Sequence, residues 1–185
     1  MYKRQVYYLP GRNGKIATGL GEGITERGFN LKGRETPESF KGLEFQGQLD
    51  LIASDLKAGF WTEDSKIVAV SYGAYLLMHT LSGLDVYPGS ILLLSPVLGA
   101  VSNPGTLRYY SPPRPNKLME MIDANSFPKP NHIEMHVGEK DWQCPPDRVV
   151  RCANAVGGVC TVVPGKGHDL GKDYVSPVLQ KWLLT

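Results

Sequence analysis

The amino-acid sequence predicts an α/β protein: a three-layer α/β/α sandwich built on a mainly parallel sheet of five or six strands. Three observations carry that prediction. Short runs such as Ile67-Val68-Ala69-Val70 and Ile91-Leu92-Leu93-Leu94 are apolar at every position, as expected of strands covered on both faces. Segments with helical spacing of apolar residues separate them, so strands and helices alternate in the way right-handed crossovers require. The 185 residues also include 21 Gly and 14 Pro, a density of turn formers that argues against an all-helical bundle.

Each element can be justified in order. Val6 to Leu9 is a β-rich run, followed by a loop from Pro10 to Gly23 with five glycines, and a weak second strand near Gly28 to Leu31. Phe45, Leu49, Ile52, Leu56 and Phe60 recur at helical spacing, with polar residues between them and Gly59 at the stop. The strand at Ile67 to Val70 leads directly into a mostly apolar helix, Gly73 to Leu81, and Ile91 to Leu94 forms the next strand. Residues Pro96 to Asn131 hold seven of the 14 prolines and one convincing helix, about Asn116 to Ala124, and read as a small cap-like insertion in a single domain spanning residues 1–185. Regular order resumes with a strand at His132 to Val137, a helix opened by Pro145-Pro146-Asp147, a strand at Val159 to Val163 and a closing helix at Tyr174 to Leu184, with Pro177 near its first turn.

Composition narrows the function. Twenty basic against 18 acidic residues give a formal charge of +2, with both signs interspersed, which disfavours nucleic acid as a partner. No apolar run approaches the roughly 20 residues that span a bilayer, so no membrane span is expected. The start Met1-Tyr2-Lys3-Arg4-Gln5 runs into a segment too short and too aromatic for a signal-peptide core, and the expected location is cytoplasmic. Cys144, Cys152 and Cys160 form no CxxC pair, so neither a disulfide framework nor a zinc site is expected, and buried reduced thiols are the simpler reading. The Gly19-x-Gly21-x-Gly23 pattern does not sit directly between a strand and a helix, and reads as a flexible loop better than as a nucleotide site.

The chemistry concentrates in Ala69-Val70-Ser71-Tyr72-Gly73. A buried strand ends, one serine follows, and a helix begins at once, with small residues two positions before and after Ser71. A sharp strand-to-helix turn strains its central residue and crowds the neighbours at plus and minus two, so this spacing is what a nucleophile elbow requires. The simpler reading is that Ser71 only caps the helix. A serine nucleophile also needs an imidazole and a carboxylate, and in an open parallel sheet these belong in loops at the carboxyl ends of later strands. Gly138-Glu139-Lys140-Asp141 and Pro164-Gly165-Lys166-Gly167-His168-Asp169 occupy those loops, giving the chain order Ser, Asp, His. Glu139 and Asp169 compete with Asp141. His79 lies roughly 12 Å along its helix from Ser71 at 1.5 Å per residue and reads as a satisfied packing residue. His132 and His136 share a strand face, lack the neighbours of a metal site, and leave His136 as a possible border of the pocket.

On these residues the sequence resembles the α/β-hydrolase superfamily from Val6 to Leu184. Its small size, its Leu9-Pro10-Gly11-Arg12-Asn13-Gly14 loop and its lack of a large cap resemble the compact serine hydrolases of the retinoblastoma-binding-protein-9 type. The resemblance implies a minimal α/β-hydrolase fold with Ser71 as nucleophile, Asp141 as acid and His168 as base. It implies an oxyanion hole from the N–H of Tyr72 and one in the loop after the first strand, where Pro10-Gly11 replaces the family's usual His-Gly. Arg12 is the expected second donor and Asn13 the alternative. The Arg12 side chain has two readings, a solvated surface arginine or a group that binds a substrate carboxylate. Leu107, Tyr109, Tyr110 and Met119 are expected to line one wall of an open, shallow acyl pocket. The implied activity is cofactor-free and metal-free hydrolysis of a small acyl ester or thioester through an acyl-enzyme. The alternatives are a non-catalytic interaction module retaining the fold, or an acyltransferase.

Overall fold

The computed structural model describes residues 4–103 and 105–185. Met1 to Lys3, read above as the start of the chain, and Pro104 lie outside the described residues. Six parallel strands form one sheet: β1 (Gln5–Leu9), β2 (Asn30–Gly33), β3 (Lys66–Val70), β4 (Ser90–Leu94), β7 (His132–Gly138) and β8 (Val159–Val163). Their spatial order is β2-β1-β3-β4-β7-β8. Two short strands, β5 (Val101–Asn103) and β6 (Arg108–Tyr110), pair antiparallel as a separate hairpin. Six helices connect them: α1 (Leu20–Glu26), α2 (Phe45–Gly59), α3 (Tyr72–Leu81), α4 (Lys117–Asp123), α5 (Pro146–Ala155) and α6 (Lys172–Leu184). The sheet is the mainly parallel one predicted, with six strands.

Alternation along each strand divides the core. Tyr7, Leu9, Ile67, Ala69, Ile91, Leu93, Met135 and Val137 face a large cluster with residues of α2, α3, α4 and α5. Val6, Tyr8, Val68, Leu92 and Leu94 face the other side, against Ile24 of α1 and Leu179, Trp182 and Leu183 of α6. The fully apolar runs of β3 and β4 follow from this, because both faces of a central strand are covered. All ten residues of α3 are buried, which accounts for its lack of a polar stripe.

The glycine-dense segment differs from expectation. Leu20 to Glu26 is helix α1, so the Gly19-x-Gly21-x-Gly23 stretch is not a flexible loop. Gly21 packs where an added Cβ would collide with the carbonyl of Ile16, and Thr25 returns a hydrogen bond to the Gly21 carbonyl at 3.0 Å. At Gly21 it is close packing against the chain that glycine supplies, whereas Gly19, with φ of 59°, supplies the turn into the helix. The second strand begins at Asn30 rather than Gly28, because Gly28 has φ of 86° and closes the turn after α1.

Strand order reverses beside β1: the chain crosses to β2 on one side and returns to β3 on the other. The carboxyl ends of β1 and β3 therefore border a crevice, the general place for a ligand in an open α/β sheet. The loop after β1 and Ser71 after β3 both open into it.

Candidate active site

Ser71 occupies a strained turn. Its φ of 51° and ψ of −116° lie where a residue with a Cβ is disfavoured. The surroundings hold it: its N–H donates to the Leu94 carbonyl at 3.0 Å, and its own carbonyl accepts from Val97 N at 3.2 Å. Gly73 makes the turn possible, because a Cβ there would collide with the carbonyl oxygens of Leu9 and Pro10. The β1 loop thus presses on the first turn of α3. Gly11 in that loop lies so close that a Cβ on it would sit 3.4 Å from the Ser71 Cβ. No side-chain capping bond forms from Ser71 to α3, so the simpler reading of Ser71 as a helix cap has no hydrogen bond behind it.

The structure brings Ser71, His168 and Asp141 together. Ser71 Oγ lies 2.9 Å from His168 Nε2, and His168 Nδ1 lies 2.9 Å from Asp141 Oδ2. An ionised carboxylate only accepts, so Nδ1 carries the proton and donates to it, which leaves the Nε2 lone pair facing the serine hydroxyl. The Asp141 side chain is fully buried. Its other oxygen, Oδ1, accepts from the backbone N–H groups of Gln143 at 2.9 Å and Cys144 at 3.0 Å, which fixes the carboxylate plane.

The loops carrying Asp141 and His168 are joined. Gly138 lies against the carbonyls of Lys166 and Gly167 so closely that no Cβ would fit. Lys140 N donates to Lys166 O at 2.8 Å, and Glu139 N donates to Val163 O at 3.0 Å. Glu139, a competitor for the acid position, instead accepts from Gly165 N at 2.8 Å, and Asp169 accepts from Gly171 N at 2.8 Å. Both competing carboxylates therefore bind backbone in the turns, and neither bonds to His168.

Two residues at this site were not singled out from the sequence. Ser95, buried and with φ of 47°, donates from Oγ to the His168 carbonyl at 2.8 Å. Cys144, also buried, donates from Sγ to the Ser95 carbonyl at 3.0 Å, with its sulfur 3.7 Å from His168 Nδ1. Ser95 had a legible signal, since it follows β4 at the same sheet edge as Ser71. Cys144 had none, because only the turn after Asp141 brings its sulfur back toward His168. Asp141, Cys144 and His168 could converge on a metal ion. Their donors are already engaged with one another, however, and burial together with the Asp141 charge pushes the Cys144 thiol well above its usual range, against the thiolate a metal prefers.

The remaining candidates separate. Arg12 has its N–H uncommitted to any acceptor among the described residues, whereas Asn13 spends its N–H on the Thr36 carbonyl at 2.7 Å, which removes Asn13 as the alternative donor. The Tyr72 N–H is the first of α3, with no carbonyl one turn before it. The Arg12 guanidinium stacks over the Tyr72 ring, 4.2 Å from its centroid, and donates to Tyr110 Oη at 3.3 Å. Burial raises the Tyr72 phenol above its usual range, and the Arg12 charge opposes that shift.

The expected wall is only partly assembled. Tyr110 reaches the site through Arg12. Leu107 is 92% exposed at the tip of the β5–β6 turn, and Tyr109 is 70% exposed beside a 250 Å³ cavity lined with Ala100, Val101, Ser102, Pro145 and Arg148. Met119 packs against the main core. A hairpin tip held by two short strands buries little, so apolar character alone placed Leu107 wrongly.

His79 and His136 also differ from expectation. Neither ring nitrogen of His79 has a hydrogen-bond partner among the described residues, so it is buried but not satisfied. His136 faces α6 rather than the pocket, pairing with Tyr174 Oη and with Glu134 Oε1, each at 2.7 Å.

The three-dimensional fold has many relatives. The ydeN gene product of B. subtilis superposes with a TM-score of 0.68 at 15% identity, covering 99% of this chain and 100% of the other. The monoacylglycerol lipase of Paleococcus ferrophilus superposes with a TM-score of 0.68 at 13% identity, covering 97% and 93%. An uncharacterised protein of Bacillus cereus gives 0.64 at 15% identity over 98% of this chain, which spans only 59% of that longer one. No protein-family model matches the sequence, and no curated protein matches it. These likenesses establish the architecture as a compact α/β-hydrolase fold.

Proposed function

We propose that this chain is a serine hydrolase acting on acyl esters or thioesters, with Ser71 as nucleophile, His168 as general base and acid, and Asp141 as the group that orients the imidazole. The observation that carries the reading is the continuous pair of 2.9 Å contacts from Ser71 through His168 to a buried carboxylate. The order Ser, Asp, His along the chain supports it, as does the strained turn that lifts Ser71 into the crevice. Esterases and a lipase among the structural relatives agree with the same reading. The small size and the Pro10-Gly11-Arg12 loop favour the compact retinoblastoma-binding-protein-9 type within this fold.

The chemistry follows from the geometry. Ser71 Oγ bonds to the acyl carbon while its proton passes to His168 Nε2, and the imidazolium is stabilised by Asp141. The carbonyl oxygen becomes negative and is received by the N–H groups of Tyr72 and Arg12, with the N-terminus of α3 favouring the same charge. The tetrahedral adduct then breaks its bond to the leaving oxygen or sulfur, which takes the proton from Nε2. A water molecule repeats the sequence on the acyl-enzyme, giving its proton to His168 and releasing the carboxylic acid and the free serine.

The test is direct. A fluorophosphonate probe is expected to label the wild-type protein at Ser71, and the Ser71→Ala variant is expected neither to label nor to hydrolyse p-nitrophenyl esters. Equal labelling or turnover by Ser71→Ala would overturn the assignment.

A further inference from the structure

Six of the eight arginines meet no carboxylate among the described residues, and two of these, Arg12 and Arg114, are stacked on aromatic rings. Arg12 follows Gly11, the residue packed against Ser71. It is exposed, yet it is held on two sides, by the Tyr72 ring beneath it and by Tyr110 Oη at 3.3 Å. Arg114 repeats the arrangement, with its guanidinium 5.3 Å from the Phe45 ring centroid and a bond to Gln46 Oε1 at 2.7 Å. The rings beneath them form one row. Tyr72 and Tyr75 are 5.8 Å apart and Tyr75 and Phe45 6.1 Å apart, and the row begins at the residue after Ser71.

A guanidinium offers five N–H donors in a planar fork that matches a carboxylate. Arg12 spends one on a neutral phenol and keeps the others. The Tyr72 ring and the Tyr110 hydroxyl together hold the guanidinium beside the residue that follows the strained serine. The cation–π contact orients the group without neutralising it, which leaves its charge available to an anion.

We propose that Arg12 is a specificity-determining residue that binds a free carboxylate on the acyl chain, so that the preferred substrates are monoesters or monothioesters of dicarboxylic acids. This rests on the serine-hydrolase reading above. The acyl side is favoured because residue 12 also offers its N–H to the acyl oxygen, so its side chain meets the acyl group from the same position. Arg114, further along the row, adds to the positive potential without reaching the acyl oxygen through its backbone.

The experiment compares two esters with the same leaving group and chain length, mono-p-nitrophenyl adipate and p-nitrophenyl hexanoate. Wild type is expected to favour the adipate ester by about tenfold in kcat/KM, the scale of one charge-assisted contact. Arg12→Gln is expected to bring the ratio near one, Arg12→Lys to keep part of it, and added salt to reduce it in wild type. The hexanoyl esters of 4-hydroxybenzoate and of phenol, which move the charge to the leaving group, are expected to show no preference that depends on Arg12. A wild-type ratio near one, a ratio unchanged in Arg12→Gln, or a preference confined to the leaving-group pair would overturn the inference while leaving the hydrolase reading intact. Absence of turnover for every ester together with no labelling of Ser71 would overturn both.

Discussion

Replacing His79 by leucine removes from the core an imidazole with no hydrogen-bond partner on either nitrogen. The ring is 2% exposed and packs edge-on against Tyr75 at 4.4 Å and Phe45 at 5.2 Å. Burial, reinforced by the charges of Lys117 and Arg114, lowers its pKa from 6.5 to about 4. Near neutral pH the ring is uncharged in both the folded and the unfolded chain, and the shift contributes nothing. As pH falls below 6.5, the unfolded chain takes up a proton that the folded protein refuses until about pH 4. Across that window the native state loses ~1.4 kcal/mol per pH unit, or about 3 kcal/mol in all. Against the roughly 5–15 kcal/mol that holds an ordinary domain, this is a large fraction. The assay is urea denaturation of wild type and His79→Leu at several pH values from about 7 to 4. Their stability difference is expected to grow by about 3 kcal/mol in favour of the variant as pH falls. Carboxylates that also titrate there are common to both proteins and cancel. A difference that stays constant across the range would refute the argument, as would an NMR titration placing the His79 ring above about pH 6.

Three further expectations concern the site. Asp141→Asn can still accept from Gln143 and Cys144 through its amide oxygen, but it then presents its NH2 to His168 Nδ1. That forces the proton onto Nε2, and kcat for ester hydrolysis is expected to fall by about 10³ to 10⁴, with thermal stability nearly unchanged; a loss under about tenfold would show that Asp141 does not set the tautomer. Ser95→Ala removes the hydroxyl that holds the His168 carbonyl and is expected to lower kcat by about tenfold with KM little altered. An unchanged kcat would show that this bond does not position His168. Gly73→Ala puts a Cβ into the Leu9 and Pro10 carbonyls and is expected to cost about 3 kcal/mol or more in denaturant titration, because backbone must move; a loss under about 1 kcal/mol would mean that the loop after β1 yields freely.

The residues that were legible in the sequence are those whose chemistry is local. The uninterrupted apolar runs at β3 and β4 read correctly because full coverage leaves no polar face to disguise the strand. Ser71 was legible because one backbone turn, with small residues at 69 and 73, imposes its own spacing. Helix α1 was missed because glycines lower helix propensity, while the reason for Gly21, close approach to Ile16, lies outside the local pattern. Leu107, expected on a pocket wall, stands 92% exposed, because apolar character does not distinguish an exposed hairpin tip from a pocket wall.

By itself, the sequence determined the alternation of strands and helices, the strained serine turn and the two loops in which an acid and a base could lie. Which carboxylate faces His168 was decided only in three dimensions. Asp141, Glu139 and Asp169 are chemically equivalent groups within a few residues of the same two turns, and the backbone N–H groups that each turn exposes select among them. Gly165 takes Glu139, Gly171 takes Asp169, and Gln143 with Cys144 hold Asp141 so that its second oxygen meets the imidazole. The same holds for Arg12, whose orientation depends on a ring from α3 and a phenol from β6, 98 residues away along the chain. Local pattern sets where a side chain starts; the partners that reach it from distant segments set where it points.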